Sequence, residues 1–200
     1  MCKAASLRRL IIFTCLVIGF FTPLEDAVAE TPEYELKASF LRVFGDVVKW
    51  ENDPGLGTTK PLSIGILGQD PFNATLTSGT RINYLDQKVA ERVRAGKKIE
   101  VQRFATPDEY QPCHMLFVAS NLARDAQAWQ AVVKATQDAD VLVVADTPGL
   151  ARKGATINMV VVRGHVQLEI NPDAAQRASL DIPLELYRFP GVKVVRDQNP

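Results

Sequence analysis

The sequence predicts an α/β domain of three layers, in which helices cover both faces of a mostly parallel sheet and an antiparallel hairpin lies near the C-terminus. Short apolar runs without polar alternation indicate strands that are buried on both faces, at 62–67, 115–119 and 141–145. Segments with helical periodicity separate these runs, as the crossovers of a parallel sheet require. Strands at 155–162 and 166–170 flank Arg163-Gly164-His165, which predicts a hairpin with His165 in its turn.

The first 29 residues have the pattern of a secretory signal peptide. Three basic residues precede an apolar run over 10–21, and Ala27-Val28-Ala29 offers small residues for cleavage before Glu30. Twelve apolar residues span only about 18 Å as a helix, so a membrane anchor is disfavoured. We therefore predict a signal peptide at 1–29 and one exported domain at 30–200.

Charge and cysteine content exclude several classes of protein. The chain has 23 Lys+Arg and 23 Asp+Glu, and 20 basic and 21 acidic residues remain once 1–29 is removed. Dedicated nucleic-acid-binding proteins usually carry a basic excess, so no nucleic-acid partner is expected. The apolar content argues against intrinsic disorder. Cys113 is the one cysteine that remains after cleavage, so no internal disulfide can form.

Besides the strand at 62–67, four elements are predicted in the first half of the domain. Thr31-Pro32-Glu33 is typical of a helix start, and apolar residues recur at spacings of three and four as far as Trp50. The apolar face of this helix is wide enough to serve either the core or a dimer surface. Asp70-Pro71 indicates a second helix start, and a third helix is predicted over 82–95. A strand follows at 98–104.

Helix caps divide the second half. Thr106-Pro107-Asp108-Glu109 has the pattern of a capping box that begins a short helix. A longer helix is predicted over 122–136. Asn171-Pro172-Asp173 indicates the cap of a further helix, and another short one is expected over 183–188. From Gly191 onward the chain is expected to be frayed or to form a last extended piece.

The residue patterns of common enzymes and metal sites are absent from the sequence. The serines lack the G-x-S-x-G context, and neither His114 nor His165 has a second ligand at metal-binding spacing. Cys113 and His114 are adjacent, which places their side chains on opposite faces of a strand, although a nucleophile and its base must converge. Asp146-Thr147-Pro148-Gly149 resembles one nucleotide-binding motif but lacks the accompanying phosphate loop. We predict no enzymatic activity, no cofactor and no metal.

Four polar residues at strand ends are the candidate ligand- or partner-binding residues, namely Asp146, Asn158, Glu169 and Asn171. Ligands of open α/β sheets usually bind at the carboxyl ends of the strands. A structural interpretation remains open for two of them, because Asn158 can satisfy neighbouring backbone groups and Asn171 can cap its helix.

Several blocks of the chain together resemble the YfiR-like family of bacterial periplasmic proteins. The first block is the Y-x-x-K-A-x-F-L pattern at 34–41, followed by Phe44 and Trp50. The other blocks follow in the same order, at 62–72, 113–118, 143–149, 154–159 and 168–171. The resemblance runs from about Glu33 to Leu186. The segment 77–95 departs from the pattern because it is longer than expected for the family.

The resemblance implies a periplasmic regulator instead of an enzyme. Such a regulator binds and represses the periplasmic sensor domain of an inner-membrane diguanylate cyclase, which lowers cyclic di-GMP and limits biofilm formation. Family members form homodimers, and an outer-membrane lipoprotein can sequester them. The alternative is a periplasmic sensor subunit that binds a small molecule and acts with a sensor kinase. Some relatives carry paired cysteines, whereas Cys113 could form only an intermolecular disulfide.

Overall fold

The structure is a computed structural model that describes residues 32–198 without positions 54, 58 and 138. The helices in this part of the chain are α1 (Glu33–Val47), α2 (Tyr84–Arg94), α3 (Ser120–Ala123), α4 (Ala126–Thr136), α5 (Pro172–Arg177) and α6 (Leu184–Tyr187). The strands are β1 (Lys49–Trp50), β2 (Leu62–Leu67), β3 (Asn73–Thr75), β4 (Arg81–Asn83), β5 (Ile99–Phe104), β6 (Met115–Val118), β7 (Leu142–Ala145), β8 (Ile157–Val162), β9 (His165–Ile170), β10 (Leu180–Asp181) and β11 (Val192–Val194). Single 3-10 turns lie at Pro107–Glu109 and Leu150–Lys153. The predicted signal peptide, 1–29, lies outside the described residues and stays a prediction.

A seven-stranded sheet organises the domain, with the strand order β11-β9-β8-β7-β6-β2-β5. The neighbouring strands from β5 to β8 run parallel. β9 then returns antiparallel to β8, and β11 pairs parallel with β9. The mostly parallel sheet with an antiparallel C-terminal hairpin is therefore confirmed. The chain beyond Gly191 forms β11, which is the extended alternative for this segment.

Each face of the sheet is covered by a separate apolar cluster, which explains why the strand sequences are continuously apolar. In β6, Met115 and Phe117 pack with α1 and α2, whereas Leu116 and Val118 pack with α4. All four of these side chains are at most 1 % exposed. Burying one such side chain contributes roughly 1.5–3 kcal/mol. The two covered faces give the predicted three layers.

Helix α1 supplies core residues from one face, but it ends earlier than predicted. Ala38, Leu41 and Phe44 are fully buried, so this part of the face belongs to the core. Trp50 does not continue the helix. It lies in β1, which pairs with β10, and its indole Nε1 donates to the carbonyl oxygen of His114 at 3.1 Å. The spacing was misleading because Trp50 follows Val47 by three residues, as in a helix, although it is buried from a strand.

The helix predicted at Asp70-Pro71 is wrong. The Asp70 carboxylate accepts from the backbone N–H of Phe72 at 2.9 Å, which closes a local turn. The chain then forms the hairpin of β3 and β4, and Asn83 caps α2 by accepting from the N–H of Asp86. An Asp-Pro pair therefore began a turn here, because the following residues pair across strands and lack a helical stripe.

The long helix predicted over 122–136 is two helices, α3 and α4. Asp125 separates them because its carboxylate accepts from the N–H of Ala128 at 2.8 Å and starts a new helix. The predicted capping box at 106–109 forms only one 3-10 turn, in which Glu109 accepts from the N–H of Ala105 and from the Thr106 hydroxyl. Local hydrogen bonding thus decided both boundaries.

The β8–β9 hairpin projects past the carboxyl end of β7. Its turn consists of Arg163 and Gly164 with φ of 52° and 80°, so His165 is the first residue of β9 and not part of the turn. β7 pairs only with Ile157 and Asn158 at the start of β8. The four remaining residues of β8 extend about 13 Å beyond this pairing at roughly 3.3 Å per residue.

Candidate functional site

Asp146 follows β7 at the carboxyl edge of the sheet and binds the first turn of α1. Its Oδ2 accepts from Lys37 Nζ at 2.9 Å and from the Tyr34 hydroxyl at 3.0 Å. Both charged side chains are almost completely buried, at 2 % exposure for Lys37 and 1 % for Asp146. Lys37 also pairs with Glu33 and lies 4.5 Å from the centroid of the Tyr34 ring. These contacts attach the start of α1 to the sheet.

The electrostatics of this cluster keep Tyr34 protonated. Burial raises the pKa of Tyr34 above its ordinary value, and the charge of Asp146 together with its hydrogen bond raises the pKa further. The phenol therefore remains a hydrogen-bond donor to Asp146. Tyr34 and Lys37 are the two specified residues of the Y-x-x-K pattern. They lie about one helical turn apart, so both side chains can reach Asp146.

Asn158 and Glu169 lie on the other face of the sheet. Ile157 and Ile170 are cross-strand partners in the cluster beside α1, so the next pair, Asn158 and Glu169, points towards the opposite cluster. Asn158 Nδ2 donates to Glu169 Oε2 and to the carbonyl oxygen of Thr147, both at 3.0 Å. The predicted set is thus divided: these two residues meet each other but not the Asp146 side chain.

Asn171 is a structural cap. Its Oδ1 accepts from the backbone N–H groups of Asp173 and Ala174, which start α5. Its Nδ2 donates to the carbonyl oxygen of Ala151 and to Asp197 Oδ1, both at 2.6 Å. The side chain is fully buried. Of the two interpretations that the sequence left open, the structure shows the capping one.

Asn158 supports the exposed surface of the carboxyl edge from beneath. Asn158 is fully buried, and its hydrogen bond to Thr147 holds the loop that follows β7. Pro148 and Gly149 at the tip of this loop are exposed, as are Arg163 and Gly164 at the tip of the hairpin. The exposed positions at this edge are therefore the tips of the loop and the hairpin, whereas Asn158 and the side chain of Asp146 are buried.

Cys113 is held in an apolar environment that suppresses thiol chemistry. Its side chain is 6 % exposed, and burial raises the pKa of the thiol to about 11. Cys113 belongs to the cluster beside α4, whereas the ring of His114 contacts Trp50 of the other cluster. The two side chains do not converge, so they form no nucleophile–base pair. An intermolecular disulfide would first require this sulfur to become exposed.

His114 takes part in an arrangement that sequence reasoning missed. Its Nδ1 accepts from the backbone N–H of Ser63 at 3.1 Å and lies 2.7 Å from the Ser63 hydroxyl. The proton therefore resides on Nε2, which is 3.9 Å from Asp53 Oδ2. Burial lowers the pKa of His114; Asp53 acts in the opposite direction, and Lys60 lowers the pKa further. No sequence signal could have revealed this contact, because Ser63 and His114 are 51 positions apart.

Ser63 is poorly placed for nucleophilic attack even though serine, histidine and aspartate are close together. It is 8 % exposed within β2, and its hydroxyl is held against the imidazole. A cleft of about 360 Å³ lies beside Trp50 and Asp53 at the amino end of the sheet, but neither Ser63 nor His114 lines it. The arrangement therefore acts as a hydrogen-bonded link between β2 and the start of β6.

Neither a metal-binding cluster nor a membrane-spanning helix is present in the described part of the chain. Within residues 32–198, apart from the three gaps, no three His, Cys, Asp or Glu side chains converge as they would around a metal ion. Over the same residues, no helix combines the length and apolar character needed to cross a membrane.

Comparison with known proteins links the chain to one family. The YfiR/HmsC-like family model matches residues 34–189. No curated protein sequence matches significantly.

Solved structures match at low identity. They include an ABC domain from Streptococcus pneumoniae in complex with L-Trp, at 15 % identity and a TM-score of 0.44, with 67 % of this chain and 55 % of that chain covered. A conserved domain protein from Vibrio cholerae O1 biovar El Tor has 15 % identity and a TM-score of 0.46, with 80 % and 60 % covered. A substrate-binding protein with adhesive properties from Clostridium difficile, in its ligand-free, open form, has 14 % identity and a TM-score of 0.43, with 71 % and 57 % covered. The chain thus spans less than two thirds of the length of these three structures.

Proposed function

This chain belongs to the YfiR/HmsC-like family, and from that premise we propose that it is a periplasmic regulator that binds and represses the periplasmic sensor domain of an inner-membrane diguanylate cyclase. Repression lowers cyclic di-GMP. An outer-membrane lipoprotein that sequesters the regulator would release the cyclase. The observation that carries the proposal is the family match over residues 34–189, which covers almost all of the described domain.

The environment of Cys113, the most evident nucleophile of the chain, agrees with a role in binding and not in catalysis. Cys113 is buried, its thiol has a pKa of about 11, and His114 faces away from it. At periplasmic pH the sulfur is therefore protonated and inaccessible. A regulator that acts through protein contact needs no reactive side chain.

We place the contact with the cyclase at the carboxyl edge of the sheet. Two exposed tips lie there, Pro148-Gly149 and Arg163-Gly164. Asn158 holds the first through its hydrogen bond to the carbonyl oxygen of Thr147, and the second is the tight turn between β8 and β9. Asp146 and Lys37 fix the start of α1 at the same edge. A rigid support of this kind reduces the entropy that the exposed tips lose on binding.

Deletion and complementation in the native host test the function. Deleting the gene is expected to raise cyclic di-GMP, and the wild-type chain should restore the lower level. Unchanged cyclic di-GMP after deletion would refute the proposed function.

A proline pair tests the contact surface. Pro148→Lys adds a charged side chain at the carboxyl edge, and Pro112→Lys makes the same change at an exposed position before β6, at the opposite edge. We expect only Pro148→Lys to lose repression and capture of the cyclase domain, with both variants retaining the wild-type melting temperature. Full repression by Pro148→Lys would exclude this edge while leaving the function itself intact.

The proposed assembly is a homodimer through an apolar patch that we call the Phe189 patch. It consists of Phe189 and Phe40, whose ring centroids lie 6.2 Å apart, and we include the exposed Leu184, five residues earlier at the start of α6. Phe189 is 51 % and Leu184 55 % exposed. Exposed apolar clusters of this kind commonly mark protein interfaces. Light scattering should find a dimer that Phe189→Glu converts to monomer, whereas Val93→Glu, at an exposed position on α2, should not. A monomeric wild-type protein would contradict the assembly.

A further inference from the structure

A second cleft, of about 450 Å³, lies between α4 and the 3-10 turn at Leu150–Lys153. Its volume is in the range of small-molecule pockets, roughly 300–1,000 Å³. It is built on the face of the sheet opposite α1, and none of the residues considered so far as functional lines it. We call it the α4 cleft.

The floor of the α4 cleft is apolar and fixed in place. Trp129 and Leu150 are each 4 % exposed, and Val133 is partly buried beside them. The indole Nε1 of Trp129 donates to the carbonyl oxygen of Lys153 at 3.0 Å, which attaches the 3-10 turn to α4. The hydrogen bond and the buried side chains hold the concave surface in place, which lowers the cost of ordering it on binding.

Among the described residues that line the α4 cleft, three are cations and none is a carboxylate. Arg124, Lys134 and Lys153 line it with exposed side chains. Among the described residues, no acidic side chain lies within 4 Å of their charged nitrogens. By contrast, Arg103 on the surface pairs with Asp70 and Asp86 at 2.7 and 2.8 Å. What distinguishes the three cations of this cleft is therefore not that they lack an acidic partner but that they surround one apolar concave surface.

This combination favours a ligand with two different ends. Like charges around a concave wall of low dielectric constant focus a positive potential into the cleft. An arginine binds a carboxylate, sulfate or phosphate with two parallel hydrogen bonds, and lysines add point charges. The floor of Trp129, Val133 and Leu150 offers apolar contact to the rest of the ligand. A small inorganic anion would make no apolar contact with this floor.

We infer that the α4 cleft binds a small organic anion with an aromatic or aliphatic body. The site is separate from the carboxyl edge of the sheet and from the Phe189 patch, so it holds even if the partner proposed above is wrong. Since the net charge of the exported chain is close to zero, the anion is drawn by this local cluster and not by the protein as a whole.

The probe is 8-anilinonaphthalene-1-sulfonate, compared with N-phenyl-1-naphthylamine, which has the same aromatic body and lacks the sulfonate. The protein is purified from the periplasm of an expression host, and fluorescence titrations are accompanied by circular dichroism to show that each sample is folded. We expect saturable binding of one sulfonate probe per chain, at least about tenfold tighter than binding of the neutral probe. Equal affinities, or no saturable binding, would overturn the inference.

Two variants of α4 locate the binding. Gln130→Glu adds a negative charge inside the cleft, and Gln127→Glu adds the same charge on the same helix at an exposed position outside it. We expect Gln130→Glu to lower the affinity for the sulfonate probe at least about tenfold through charge repulsion. Gln127→Glu should change this affinity less than about twofold. Equal effects of the two variants would place the binding elsewhere and refute the site.

Removal of the rim charges gives an independent test. In the variant Arg124→Gln/Lys134→Gln/Lys153→Gln, the preference for the sulfonate probe over the neutral one is expected to disappear. The control Arg81→Gln/Arg94→Gln/Arg188→Gln removes three exposed cations from other places and changes the net charge equally. Loss of the preference in the control, or its survival in the first variant, would show that the cleft does not select anions.

Discussion

The buried ion pair between Lys37 and Asp146 gives the strongest expected effect on stability. Replacing Lys37 with Met keeps the length of the side chain but removes its charge. Asp146 then keeps the Tyr34 hydroxyl as a partner, although its carboxylate is 1 % exposed and so barely reached by water. A buried charge that loses its partner costs about 3–5 kcal/mol.

This loss is large compared with the stability of an ordinary domain. Domains typically unfold with about 5–15 kcal/mol. For an unfolding slope of about 2 kcal/mol per molar urea, the transition midpoint should fall by about 1.5–2.5 M. Urea unfolding followed by circular dichroism measures this shift directly. The double variant Lys37→Met/Asp146→Asn removes both charges and keeps an acceptor for Tyr34, so we expect it to be more stable than Lys37→Met alone.

Lys88→Met is the matched control. The Lys88 side chain is 22 % exposed, and its Nζ lies 3.8 Å from Glu35 Oε1. Loss of this charge should therefore lower the free energy of unfolding by less than about 1 kcal/mol. If Lys37→Met were no more destabilising than Lys88→Met, or if the double variant were the least stable of all, the buried pair would not hold α1 to the sheet as inferred.

Three further predictions concern His114, Cys113 and Asn171. Because burial lowers the pKa of His114 in the folded chain, the unfolded chain takes up the proton first as the pH falls. The melting temperature should therefore decrease below about pH 6.5, and this decrease should be smaller in His114→Gln; identical pH profiles would contradict the role of this residue. Cys113, with a thiol pKa of about 11, should resist a thiol-specific disulfide reagent at pH 8 until urea unfolds the chain, and rapid labelling of the folded protein would show that the sulfur is accessible. Asn171→Ala removes a buried cap and should lower the free energy of unfolding by about 2 kcal/mol or more. The same substitution at the exposed cap, Asp125→Ala, should lower it by about 1 kcal/mol. Equal losses for the two variants in urea unfolding would show that burial of the cap adds no stability.

Local patterns predicted the order and type of most elements. β2, β6 and β7 were recognisable because strands covered on both faces must be apolar throughout. The hairpin of β8 and β9 was predicted because Arg163-Gly164 interrupts two such runs. Boundaries were less certain wherever a side chain competed for backbone N–H groups. Asp70 closed a turn where a helix was expected, and Asp125 divided one helix into two.

The sequence indicated the position of three candidate residues in the fold, but not which of the candidate side chains contact each other. Asp146, Asn158 and Glu169 do lie at the carboxyl end of β7, as their positions after and within apolar runs indicated. The strand alternation that sends Asn158 and Asp146 to opposite faces emerges only from the cross-strand register. The Ser63–His114 contact and the α4 cleft were not predicted, since each joins side chains from separate elements.

By itself, the sequence determined an α/β domain with a mostly parallel sheet, its terminal hairpin and its resemblance to a family of regulators, because these depend on periodicity and on the order of motifs along the chain. Only the tertiary structure decided which polar groups meet. Lys37 reaches Asp146 across 109 positions, and three unpaired cations surround an apolar floor on the opposite face. Periodicity states which residues of one element share a face, whereas the register and packing of separate elements decide what that face contacts.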